Sequence, residues 1–192
     1  MQVTVPGVPP TPVWVYLTLI TSMFLHGGIA HLAGNMWFLW IFGDNVEDAL
    51  GHLRYLIYYL VCGVLASLAH VFATAALSGD TLVPSLGASG AISGVLGGYL
   101  LLFPEKRVTV IMVRFLTQVP AWVAIGIWFA FQLFSGLGTF GGGSQVGGVA
   151  YAAHVGGFVA GMLLVKPFSI GKAHYIGRQR NFPNRTARGD SS

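Results

Sequence analysis

Five apolar segments, at roughly 29 to 43, 54 to 77, 89 to 103, 119 to 137 and 146 to 165, are separated by links that together with the C-terminal tail hold almost every charged residue of the chain. Such a segment is stable in hydrocarbon as a helix, because its backbone N–H and C=O groups are then satisfied within the segment. The composition agrees: 54% of the 192 residues are hydrophobic and 8% are charged, against about a quarter charged in an ordinary soluble domain. The expected fold class is all-α, a polytopic membrane helical bundle with five spans. The first and third segments fall short of the ~20 residues that a full crossing needs. Both carry polar groups near one end.

The ends of the chain differ from this core. Residues 1 to 28 contain no Lys or Arg and begin with the Pro-rich run VPGVPPTP, which cannot be a helix interior. They read as an extracytoplasmic loop segment leading into a membrane core at 29 to 165, and 166 to 192 read as a basic tail. If five spans alternate, the links after the first and third spans and the tail share one side. Those pieces hold all ten Lys and Arg. The positive-inside rule puts them in the cytoplasm and puts residues 1 to 28, 78 to 88 and 138 to 145 outside. The expected location is a cell membrane of the bacterial inner-membrane type. The net charge of +4 is then a topology signal or a contact with anionic lipid, and no nucleic-acid partner is called for.

With sidedness assigned, depth follows from helix rise. Ser89 lies 15 residues before Pro104, which at ~1.5 Å per residue is roughly 22 Å from the cytoplasmic interface. His154, 12 residues before Lys166, comes out at about 18 Å by the same rise. His31, 13 residues before Asp44, comes out near 20 Å. Three reactive side chains on three spans therefore share one layer, on the order of 10 Å below the outer face of a ~30 Å hydrocarbon core. Polar groups at that depth face the bundle interior or a water-filled cavity. The short first and third spans leave room for a cavity opening outward.

Gly90, Gly94 and Gly98 form a small-residue stripe at four-residue spacing, and Ala153, Gly157 and Gly161 form another. Such stripes let helix backbones approach closely, so the third span should pack on the fifth with Ser89 and His154 near the seam. A seryl hydroxyl is a poor nucleophile unless a base accepts its proton, and neutral His is the usual base. No Asp or Glu lies inside any segment, which leaves a Ser/His dyad without a carboxylate. Attack on an amide also needs donors for the oxyanion. FLHGGIAHLAGN supplies His26, His31 and Asn35, the last two sharing one helical face. The backbone N–H of Ser89 at a helix N-terminus adds another donor.

Metal chemistry is not implied. HExxH is absent, and His26 and His31, five apart, would point about 140° from each other on one helix. Cys62 is the single cysteine, so neither a disulfide framework nor a cysteine-rich metal site exists. No cofactor is expected. His52, His70 and His174 read as interfacial or solvated, and Trp122, Trp128, Phe129, Phe131 and Phe134 as lipid-facing or interfacial aromatics.

The order His26-x4-His31-x3-Asn35, then GASG around Ser89, then AHVGG around His154 resembles the rhomboid family of intramembrane serine proteases over about residues 14 to 165. The resemblance implies Ser89 as nucleophile, His154 as general base, and His31 and Asn35 as oxyanion-binding residues. It implies substrates that are transmembrane segments of other proteins, cut near their outer ends after approaching beside the fifth span. The usual core of that family has six spans, so the first is expected to be missing from this chain. Ser93 stands where several relatives place an aromatic ring under the imidazole. Two other functions fit a polar layer in a bundle: a non-catalytic relative that binds and escorts transmembrane helices, and a small transporter or channel.

Overall fold

The computed structural model describes residues 15–78, 85–112, 115–140 and 151–171. The chain enters through two 3-10 turns, Val15–Leu17 and Ser22–Phe24, flanking the short helix α1 (Thr18–Thr21). There follow α2 (Ile29–Leu50), α3 (His52–Ala73) with a π turn at Thr74–Ser78, α4 (Ser89–Leu102), a hairpin of β1 (Arg107–Met112) and β2 (Phe115–Pro120), α5 (Ala121–Phe140) and α6 (Tyr151–Phe168). The molecule is a helical membrane bundle. By length and apolarity, α3 continued to Ala76 and α6 can each cross a bilayer, while α2 forms a pair bent by 82° with the preceding Val15–Phe24. Helix α4 and the Ala121–Phe134 part of α5 are shorter apolar helices. The N-terminal residues 1–14, the 141–150 link and the tail beyond 171 lie outside the described residues.

Two elements differ from the sequence expectation. The first segment, expected to end near residue 43, continues as helix to Leu50. Asp44, Glu47 and Asp48 therefore ride on its last turns instead of forming a link. Acidic side chains do not break a helix; Gly51, with φ +83°, does, because the left-handed conformation ends the hydrogen-bond ladder. The basic link after the third segment is an antiparallel hairpin, registered from Arg107 opposite Pro120 to Met112 opposite Phe115. Its Val, Ile, Thr and Phe content suits extended backbone. The hairpin ties two helix ends together, with Ala121 N–H donating to Lys106 O at 2.8 Å and Trp122 N–H to Pro104 O at 3.0 Å.

Helix α4 is the hub. Every residue from Gly90 to Tyr99 is buried, so this short helix sits inside the bundle with no lipid-facing side along that stretch. Its small residues set the spacing. A Cβ on Gly157 would run into the carbonyl of Gly90, and one on Gly161 into the carbonyl of Gly94. The α4 and α6 backbones are therefore in direct contact along the seam. Tyr58 of α3 closes the third side: its hydroxyl lies 2.7 Å from Gly94 O and 3.1 Å from Gly161 O, donating across both helices at once. Below this, Phe42 meets Tyr99 edge-on at 5.1 Å between ring centroids. Arg54 holds the lower end of α6, its Nη1 donating to Ile170 O at 2.7 Å. The result is a rigid three-helix centre that fixes the upper ends of α4 and α6 relative to each other.

Candidate functional site

Ser89 is the first residue of α4, and the backbone before it explains why a helix can start at that depth. Gly87 has φ +110°, a conformation that a residue with a Cβ rarely adopts. Its N–H donates to Ser22 O at 2.9 Å, which pins the loop to the turn preceding α2. Ala88, at the N-cap, provides no side-chain cap, so the first amides of α4 have no intrahelical acceptor and point upward. Space is as restrictive as φ. A Cβ on Gly87 would lie 2.8 Å from both Cε1 and Nε2 of His31. Gly87→Ala is accordingly expected to push the His31 ring aside, and a shift of the His31 ring signals in NMR checks this.

His154, on α6 and 8% exposed, reaches the serine. Its Nε2 is 2.8 Å from Ser89 Oγ. Its Nδ1 is 2.8 Å from Oε1 of Gln132 on α5, a residue to which the sequence pattern assigns no role. Trp128, one turn earlier on α5, stands beside the imidazole with centroids 6.0 Å apart and planes at 40°. Trp128 and Phe129 also pack on Phe158 of α6, Phe129 stacked at 4.3 Å. The expectation of lipid-facing rings thus fails for these two residues. Ala121, Ile125, Trp128 and Gln132 recur at helical spacing and form the inward stripe of α5. Trp122, Phe131 and Phe134 lie off that stripe and are exposed. A signal for Gln132 does exist in the sequence: it is the one amide side chain in the fourth apolar segment, and a polar group inside a span requires a partner.

Ser93 does not support the imidazole. Its hydroxyl is fully buried and donates back to Ser89 O at 2.6 Å, the usual bond of a helical serine to the carbonyl four residues earlier.

His31 and Asn35 occupy one face of α2 across a cavity of about 710 Å³ that is also lined by Gly87, Ser89, Trp128 and His154. His31 accepts at Nδ1 from the Gly27 N–H at 3.3 Å, and its ring meets His26 edge-on at 5.3 Å. Asn35 is 8% exposed, and its Nδ2 is buried with no hydrogen-bond partner among the described residues. An unpaired buried donor is uncommon enough to call for a role. Here it borders the cavity that contains the serine. The Nε2 of His26 is likewise buried and unpartnered among the described residues.

All four residues singled out in the sequence therefore line one cavity: Ser89, His154, His31 and Asn35. Of the histidines set aside, His52 is exposed beside Glu47 at 2.7 Å. His70 is buried, at 6% exposure, and not interfacial as expected, because it faces inward from the last turn of α3. His174 lies outside the described residues. Among the described residues no three His, Cys, Asp or Glu side chains are grouped to hold a metal ion.

The Rhomboid domain family model matches residues 13–170. The chain is 34% identical over 147 residues to Rhomboid protein 1, mitochondrial, of Saccharomyces cerevisiae, covering 77% of this chain and 40% of that protein. It is 32% identical over 162 residues to Rhomboid protease GluP of Bacillus subtilis, covering 84% of this chain and 28% of that one. With human Presenilin-associated rhomboid-like protein, mitochondrial, it shares 33% identity over 99 residues, 52% of this chain and 26% of the relative. The chain thus spans well under half the length of these relatives. No solved structure matches it significantly. A family match over most of the chain, with relatives above 30% identity across more than three quarters of it, leads to one assignment: this is a membrane protein of the rhomboid family.

Proposed function

We propose that the protein is an intramembrane serine endopeptidase that cleaves transmembrane segments of other membrane proteins. The observation that carries this reading is the 2.8 Å approach of His154 Nε2 to Ser89 Oγ inside the cavity. In the proposed reaction Ser89 Oγ attacks the scissile carbonyl carbon while its proton passes to His154 Nε2. The resulting oxyanion accepts hydrogen bonds from Asn35 Nδ2, from His31 and from the uncapped amides at the start of α4. His154 then returns the proton to the leaving amine as the C–N bond breaks. A water, deprotonated by the same imidazole, attacks the acyl-serine and restores the free hydroxyl.

The cavity lies at the opposite end of α4 from Lys106 and Arg107, so it opens away from the basic side. In a bacterial-type inner membrane that is the extracytoplasmic face. A substrate helix would present its outer, unwound end to the cavity, where water for the second step is available.

The test is incubation of the purified protein with a single-span substrate in detergent or vesicles. Product from wild type and none from Ser89→Ala supports a protease. Capture of the substrate helix with no product from either protein overturns it in favour of an escort. Flux of a solute that survives Ser89→Ala overturns it in favour of a transporter. Asn35→Ala should lower kcat about 10²-fold with little change in KM, the usual cost of removing one oxyanion donor.

A further inference from the structure

We infer that Gln132 is the positioning residue of the catalytic base, setting which nitrogen of His154 carries the hydrogen. The inference rests on the reading of Ser89 and His154 as the reacting pair. Gln132 Oε1 lies 2.8 Å from His154 Nδ1, with both side chains at least nine-tenths buried. A carbonyl oxygen only accepts, so Nδ1 carries the hydrogen and donates it. In a neutral imidazole this leaves the lone pair on Nε2, the nitrogen that faces Ser89 at 2.8 Å. The seryl O–H then donates toward Nε2, as a general base requires. The opposite tautomer would aim an N–H at the hydroxyl, and the serine would have nowhere to pass its proton.

The choice of an amide follows from the surroundings. No Asp or Glu lies in any apolar segment, and an unpaired carboxylate at this depth would be costly to bury. A neutral Gln orients the ring and adds no charge. Trp128, four residues earlier on the same face of α5, limits the ring's rotation from the side. The base is thus held by α5, while the nucleophile comes from α4 and the imidazole itself from α6. Three helices must be in register for the pair to work.

The test compares wild type, Gln132→Met and Gln132→Glu. Met matches the volume and lacks the acceptor; Glu keeps an acceptor oxygen at the same reach whether or not it is protonated. Two readouts are taken: 15N NMR of histidine-labelled protein in micelles, with the His154 signals assigned by their loss in His154→Ala, and cleavage kinetics on a single-span substrate. Wild type should show a protonated Nδ1 and an unprotonated Nε2. Gln132→Met should show mixed tautomers and a kcat lower by about 10- to 100-fold with KM nearly unchanged, a part of the ~10²–10⁴ that general-base catalysis supplies. Gln132→Glu should restore both the wild-type tautomer and most of kcat. Identical His154 signals in wild type and Gln132→Met overturn the inference, and so does an unchanged kcat in an active protein. A wild type without cleavage defeats the protease reading, yet the nitrogen spectra still decide whether Gln132 sets the tautomer.

Discussion

Ser89→Ala is expected to abolish cleavage of a single-span substrate, lowering kcat by at least about 10³-fold, and His154→Ala should do nearly the same. In the proposed mechanism the hydroxyl supplies the bond-forming atom and the imidazole, 2.8 Å away, the base that takes its proton, so neither would work without the other. Removing members of such a unit singly costs about as much as removing them together. The double variant should therefore be no worse than either single one, and this non-additivity is the diagnostic result. Binding of the substrate helix, measured by crosslinking or fluorescence, should change little, because the truncations remove few atoms from the cavity wall. Additive losses, in which the double variant is as much worse as the product of the singles, would show two independent contributions and break the dyad.

Gly161→Ala should be among the most damaging single substitutions to stability, although it adds one methyl group two turns below His154. The new Cβ would lie 2.5 Å from the carbonyl carbon and 2.6 Å from Cα of Gly94, and closer still to its oxygen. These are backbone atoms of a buried helix, and no side-chain rotation relieves the contact. The helices α4 and α6 would have to separate, stretching the Tyr58 hydroxyl from one or both carbonyls that it bridges. Overpacking of this kind costs about 3 kcal/mol or more, and the displacement would be transmitted to Ser89 and His154. Thermal unfolding in detergent should show a lowered midpoint and cleavage should fall with it. Gly126→Ala is the matched control: that position on α5 has nothing within 4 Å of an added methyl, so stability should hold or rise slightly, Ala being the better helix residue.

How much is legible in the chain before its fold is known differs residue by residue. Ser89, His154, His31 and Asn35 each follow from position along a helix, and the cavity does contain all four. The glycine stripes are also readable, because a four-residue spacing is a property of one helix. Gln132 escapes, since a search for a third group restricted to carboxylates passes over an amide. Trp128 and Phe129 cannot be separated by sequence from the exposed rings of Trp122, Phe131 and Phe134. Apart from Gln132, a segment as apolar as α5 gives no polar face by which to tell its inside from its outside. His70 is misplaced for a similar reason: nearness to a helix end says how deep a side chain is and nothing about the direction it faces.

Sequence alone determined that the chain is a bundle of membrane helices and that a hydroxyl and two imidazoles, on three segments, come out at one depth. Hydropathy, charge and helix rise all vary along the chain, so a one-dimensional reading captures them. Tertiary structure alone decided the rotation of each helix about its axis. That rotation turns Gln132 and Trp128 toward His154, closes the Ser89 to His154 gap to 2.8 Å, and leaves the Asn35 amide at the cavity wall with no partner among the described residues. It is set by steric contacts between neighbouring helices, above all the glycine seam of α4 and α6, and those contacts exist only once the helices have met.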